Sequence, residues 1–421
     1  MGTVRGMGLD ERVGNHARER FARHVLTAAQ ESGLAQVWYD AAQFAIAYQR
    51  VAGERPAWLD LERPFLDFGD TTGAARQRRV LQLVVSMVNA PAPPEGWREV
   101  GARLRPVVQS ASIALTAPVD GPTMLTRPAL PYLSQYVVID MPSGPLYVTR
   151  EQVAGWGVDE ADVFAQAWAN LAETTPVHMA LTPTARRPLR FIGADDPYFA
   201  ARLLLPGRLA ALAGWVSGRP VAFLPDRSTV ILSPDNPDSL GRIFEVAATE
   251  FAEANWPLSP QGYTLDDNGS ILPYVAPVGH PVAVRVRGAA ALLSATEYAT
   301  QARLLAARPD LIGPDAVLGA VNVVHTQDQS VRTVTSWSGD SRELLPTAEY
   351  LLVRAPGEDE VVIVPWRVAT EALDLVPLDG LKPPRFRVRS QPTDETWSRL
   401  RPLELDSKPA YVPRHGDRGG A

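Results

Sequence analysis

Apolar positions recur at three- and four-residue spacing near the start of the chain. Phe21, Val25, Leu26 and Ala29 fall on one stripe with charges between them, which predicts an amphipathic helix over residues 10–31. After Gly33 the period shortens. The run "QVWYDAAQFAIAYQ" sets aromatic and β-branched residues on both sides of "DAAQ" and predicts a hairpin, with helix as the alternative. Pro56 and Pro64 punctuate the segment after it, a helix is expected over 74–89, and "APAPPEGW" breaks the chain before a short helix over 96–110. From Tyr136, "YVVID-MPSG-PLYVT" is two β-branched runs joined by a Pro/Ser/Gly turn, followed by an amphipathic helical stretch from Arg150 to Glu173 and the strand-like "RPLRFIG".

The next stretch, "GADDPYFAARLLLP" (193–206), poses a choice between chemistry and backbone geometry. Two adjacent acids suggest a general acid/base pair, but adjacency alone supplies neither a positioned substrate nor displaced pKa values. Pro197 lacks a backbone donor and has φ preset for a helix, so it fits the first helical position, with Asp196 as the N-cap. Further on, "RPVAFLPDRSTVILSP" predicts strand–turn–strand with Asp226 and Arg227 in the turn. A capped helix is expected over 237–255, and Asn268-Gly269 is a hairpin signal. "LPYVAPVGHP" (272–281) reads as a boundary. Beyond it come an alanine-rich helix over 288–307, the strands "AVNVVHT" and "VRTVTSW", the run "YLLVRAPGEDEVVIVPW", a helix to about residue 375, and "PRFRVRS". The order hairpin, helix, basic strand thus occurs twice, as an internal duplication would leave it.

Together these patterns predict an α+β or mixed α/β protein of strand-hairpin and helix units in two or three domains. The runs "TRPALPYLSQYVVIDMPSGPLYVTREQVAGWGVDEADVFAQAWANLAE", "DDPYFAARLLLP", "RPVAFLPDRSTVIL" and "FAEANWPLSPQGY" occur in that order. With "ERPAWLDLERPFLDFGD" and "WREVGARLRPVV", the chain resembles the YtpQ-like bacterial family over roughly residues 15–275. The resemblance implies a cytoplasmic mixed α/β protein, and it carries no catalytic residue, substrate or cofactor. The expected layout is an N-terminal helix-rich α/β region (1–125), a YtpQ-like α/β domain (126–275), a C-terminal α/β domain (276–402) and a polar tail (403–421).

Composition sharpens this by exclusion. Among 421 residues, 46% hydrophobic and 21% charged are ordinary globular values. With 41 basic against 47 acidic residues the net charge is −6, and no basic block interleaved with aromatics tracks a phosphate backbone, so nucleic acid is not an expected partner. The densest basic run, "RQRR" at 76–79, reads as the solvated first turn of a helix. Cysteine is absent, which excludes disulfides and thiolate chemistry and fits the cytoplasm. The longest uncharged apolar run ends in prolines well short of the roughly 20 residues a membrane span needs. Basic residues are nearly all arginine, with lysine only at Lys382 and Lys408, as in a GC-rich bacterial genome.

Motif chemistry is sparse. No phosphate loop, dinucleotide fingerprint or nucleophile elbow occurs, and the six histidines form no helical metal pair, so no cofactor or metal is expected. His178 and His325 border strand-like runs and are the better catalytic candidates, though a structural role is the simpler reading. Trp156, Trp168, Trp215 and Trp256 fall in amphipathic stretches that core packing explains, and Trp337 and Trp366 follow strand-like runs. Tyr198 and Arg202 stand four apart on one helix face beside a dipole-positive end. With Arg227 in a neighbouring turn, they are the candidate anion-binding residues, unless Arg202 is paired to an acid of its own segment, Asp195. The reading that results is a non-catalytic protein that binds a protein partner through an interdomain or sheet-edge surface. The alternative is a metal- and cysteine-independent enzyme acting on a small anion in a cleft.

Overall fold

Helix-period and strand-period segments alternate as expected in the computed structural model of the chain, a mixed α+β fold with several small sheets. It describes residues 9–397 apart from 41–43, 53–56, 62–63, 66–67, 69–70, 90–95, 118–120, 142–144, 176–187, 194–195, 217, 327–329, 355–360, 390–392 and 394. The chain divides into two compact units, Met1–Glu95 with Asp140–Leu146, and Gly96–Ile139 with Tyr147–Ala421. The stretch 272–281, a boundary by its prolines, lies inside the second.

In the first unit, α1 (Leu9–Gln30) precedes an antiparallel sheet of β1 (Gln36–Asp40), β2 (Ala45–Gln49) and β3 (Ala57–Asp60), and α2 (Gly73–Val88) follows. The helical stripe that predicted α1 is its buried face. Phe21, Val25 and Ala29 pack with Ile46 and Tyr48 from the hairpin and with Val80, Val84 and Met87 of α2. The rings of Phe65 and Phe68 close on Phe21 at 5.7 Å each, one tilted and the other edge-on.

The second unit opens with α3 (Trp97–Gly101) and β4 (Leu104–Ser110), which corrects the single helix expected over 96–110. Pro106 cannot continue a helix, and Val107 and Val108 favour the pleated surface on which β4 is buried. A 3-10 turn (Ala111–Thr116), β5 (Thr126–Leu130) and β6 (Leu133–Ile139) follow, and the sheet order is β4-β6-β5. The chain re-enters this unit at Tyr147, within β7 (Leu146–Tyr147). The amphipathic stretch 150–173 is two helices, α4 (Arg150–Trp156) and α5 (Glu160–Glu173). Thr149 and Gln152 form a capping box at the first, and Gly157 ends it at φ 68°, a conformation that costs glycine little.

Next come β8 (Leu189–Ile192), α6 (Phe199–Leu203), α7 (Arg208–Leu212), β9 (Pro220–Asp226), β10 (Thr229–Pro234), α8 (Pro237–Glu253), β11 (Pro257–Leu265) and β12 (Ile271–Pro273). Their strands form a five-stranded sheet in the order β12-β11-β9-β10-β8. The Asn236 side chain accepts from the Ser239 amide at 2.9 Å and Pro237 starts α8, as its sequence demanded. The Asp266 carboxylate accepts from the amides of Asn268 and Ser270, and Gly269 at φ +78° completes the β11–β12 turn.

The remainder comprises α9 (Ala283–Leu305), α10 (Pro309–Ile312), β13 (Val317–Leu318), β14 (Asn322–His325), β15 (Val331–Trp337), β16 (Glu343–Pro346), β17 (Tyr350–Arg354), β18 (Val361–Pro365), α11 (Trp366–Ala372), β19 (Leu375–Pro377) and β20 (Arg385–Val388). Two four-stranded sheets result, β14-β15-β17-β18 and β13-β16-β20-β19. Trp337, Leu345, Val353, Val364 and Trp397 share a core between them. The 23-residue α9 carries several polar groups into the interior. Besides apolar residues it buries Ser294, Glu297 and Gln301, so polar pairing holds it as well as hydrophobic packing.

Candidate functional site

The acid-rich segment serves the backbone, with a different residue in the capping position from the one expected. Helix α6 begins at Phe199 with Tyr198 as its N-cap, two residues after the expected cap at Asp196. Asp196 Oδ1 accepts from the Tyr198 amide at 2.9 Å, the local turn that aspartate favours, and this turn places Pro197 ahead of the helix. Gly193 permits the approach of Phe199, because an added Cβ would lie 2.3 Å from its ring. Arg202 Nε donates to Asp196 Oδ2 at 2.7 Å, and its Nη1 donates to Thr175 Oγ1 at 2.5 Å. The guanidinium therefore clamps the segment to the end of α5, with Asp196 as its acid; Asp195 lies outside the described residues. Tyr198 is buried among Leu171, Ala201 and Leu205. The Arg227 carbonyl accepts from the Ala200 amide at 3.2 Å, while its guanidinium lies 4.8 Å from the Trp256 ring. Tyr198, Arg202 and Arg227 are thus neighbours through backbone and packing, and Arg202 is engaged by partners of its own chain.

A second polar constellation lines α9. Glu297 is 5% exposed, and its carboxylate accepts from Ser110 Oγ at 2.8 Å, Ser112 Oγ at 2.7 Å and the Ser112 amide at 2.9 Å. Burial pushes its carboxyl above the usual range, against the pull of those three donors. One turn on, Gln301 Oε1 accepts from Arg385 Nε at 2.7 Å while its Nε2 donates to the Pro383 carbonyl at 2.6 Å. Arg385 is wholly buried. Its Nη1 donates to the carbonyls of Gly319 (2.8 Å) and Leu344 (3.0 Å), its Nη2 to that of Tyr298 (3.1 Å). Burial lowers the guanidinium to about 10, so it is charged at neutral pH, and carbonyl and amide dipoles and the Tyr298 ring 5.3 Å away stabilise that charge. Arg385 thereby fastens β20 to β16, to the end of β13 and to α9.

Strand period two then carries the chain from this core to an opening. Arg385 pairs with Pro346 and Arg387 with Leu344, so both arginines project from one face of β20. There the end of the β13-β16-β20-β19 sheet bounds a cleft of about 560 Å³. Of its apolar lining, Ile312, Ala316, Val376, Leu378 and Val388 are buried or half-buried, while Pro314 and Pro377 are exposed. Its polar lining, Arg342, Arg387, Arg389, Asp315 and Ser341, is exposed. The three guanidiniums are not equivalent. Arg342 is forked onto Asp340, with contacts of 2.6–3.0 Å, and holds that carboxyl down to about 2. Arg387 Nη2 donates to the Ile312 carbonyl at 3.3 Å. The guanidinium of Arg389 makes no hydrogen bond or ion pair among the described residues; only its backbone amide is bonded, to the Asp374 carbonyl at 3.3 Å.

His325 is exposed at the end of β14, and His178 lies outside the described residues. Among the described residues no group of three or more His, Cys, Asp or Glu is placed to hold a metal ion. No helix among them is long and apolar enough to cross a membrane. No family model, curated protein or solved structure matches the chain. Sequence reasoning passed over the cleft, although "RFRVR" carried a signal. Arginine at every second position of a strand is costly unless one is buried with partners and the others meet solvent or a ligand.

Proposed function

We propose that the protein is a non-catalytic binding protein, and that its second unit takes a ligand joining an anionic group to an apolar part in the cleft at the end of the β13-β16-β20-β19 sheet. One observation carries the reading: the Arg389 guanidinium, unengaged among the described residues, stands at the rim of a cleft lined by buried Ile312 and Val388. Such a site offers an apolar surface to desolvate and one directional cation to orient the ligand, the usual division of labour in small-ligand pockets. Lack of cysteine supports a cytoplasmic setting, and the overall negative charge favours a ligand other than nucleic acid.

Thermal melting with a panel of eight-carbon amphiphiles carrying carboxylate, phosphate or sulfate heads tests the proposal. At least one anionic member raises the melting temperature of the full chain. Arg389→Ala removes the shift, whereas Arg227→Ala, which lines no part of the cleft, retains it. A panel without any shift, or a shift undiminished in Arg389→Ala, would refute the assignment.

A further inference from the structure

Resting on that reading, we infer that the ligand of the cleft is an aliphatic monocarboxylate, held by its head on Arg389 and by its chain along Ile312, Val376, Leu378 and Val388. Charge count points to a single anionic charge. Two carboxylates, Asp340 on Arg342 and Asp315 in the lining, stand against the three guanidiniums and leave one net positive charge around the cleft. A phosphate monoester, close to doubly charged at neutral pH, would exceed that single net charge and leave its second charge uncompensated.

Geometry points to a planar head. A guanidinium presents parallel N–H donors that match the two oxygens of a carboxylate, and Arg342 on Asp340 shows that fork already formed in the lining of the same cleft. One N–H of Arg387 is committed to the Ile312 carbonyl, whereas no N–H of the Arg389 guanidinium is bonded among the described residues, which makes Arg389 the head-group contact. The apolar lining contains no donor or acceptor side chain along Ile312, Val376, Leu378 and Val388, so the portion of the ligand that covers it carries no polar group in need of a partner.

Isothermal titration of the full-length protein with octanoate, octyl phosphate and octanol decides the matter. Octanoate is expected to bind one per chain and more tightly than either of the others. Arg389→Lys, which keeps the charge and loses the fork, weakens octanoate about tenfold or more, as loss of a charge-assisted hydrogen bond implies, and Arg389→Ala weakens it further. Circular dichroism of both variants should match the parent, since the side chain is exposed. Tighter binding of octyl phosphate would overturn the carboxylate assignment while leaving the cleft as an anion site. Equal binding of octanol would overturn the role of the head group. Failure of all three ligands, with the parent protein folded, would overturn the binding reading itself.

Discussion

Glu297 keeps a carboxyl group in the interior with three donors around it and, among the described residues, no cation bonded to it. Its carboxyl is raised by burial, so folding favours the protonated form. The stability this contributes is present below the ordinary glutamate value and is lost as pH rises through the higher folded value. Glu297→Gln, neutral throughout, is the reference. The melting temperature of the parent relative to this variant should fall between pH 4 and pH 8, and a difference constant across that range would show the carboxyl is not desolvated as described. None of this was legible in "SATEYATQARLL", which reads as part of an alanine-rich helix, because the partners Ser110 and Ser112 lie 185 or more positions away. Asp196 was more legible, because its partners are local. Aspartate before proline signals a capped turn, and the carboxylate does satisfy a nearby amide, that of Tyr198. What the local pattern missed was the side-chain turn that delays the helix to Phe199, and the bond from Arg202.

Elements whose instructions are short-range came out as expected. The stripe of α1, the Asn-Pro start of α8, the Asp-Asp-Asn-Gly turn and the β17–β18 hairpin all arise from neighbours within a few residues. Assembly of β13, β16 and β20 is different, since β13 runs parallel to β16 and β20 antiparallel to it, across gaps no local pattern spans. Arg385 is the fastening. Leu344 O accepts both from Arg385 Nη1 and from the Gly319 amide, and glycine at 319 suits this close approach, since a Cβ would stand 3.1 Å from Pro346 Cδ and 3.3 Å from Leu344 O. Arg385→Met keeps much of the volume and strips donors from Gln301, Gly319 and Tyr298. Buried acceptors left without partners cost about 1–3 kcal/mol each, less where a second donor remains, so a loss of about 3–5 kcal/mol in urea unfolding is expected. A loss below about 1 kcal/mol would mean these carbonyls find other donors. Because β20 also carries Arg387 and leads directly into Arg389, the same variant should lose octanoate binding under conditions where it is still folded.

The cleft draws on residues from Ile312 to Arg389, all in the second unit, while the first unit has a core of its own around Phe21 and Ile46. A ligand that binds only the closed cleft stabilises the segments that must open to release it, and leaves independently opening segments as they were. Hydrogen exchange of the full chain with and without octanoate should therefore show slowed amides in 312–319, 341–346 and 375–389. Residues 17–30 and 73–88 should exchange at unchanged rates. Within the protected set, the amides of Val317 and Gly319 should slow most. They donate to Arg342 and Leu344 across the β13–β16 pair, which is only two residues long on each strand. Protection centred instead on Tyr198–Arg202 and Arg227 would move the ligand to the start of α6. The bonds of Arg202 to Asp196 and Thr175 would then have to open on binding, since the same guanidinium would be needed for the anion.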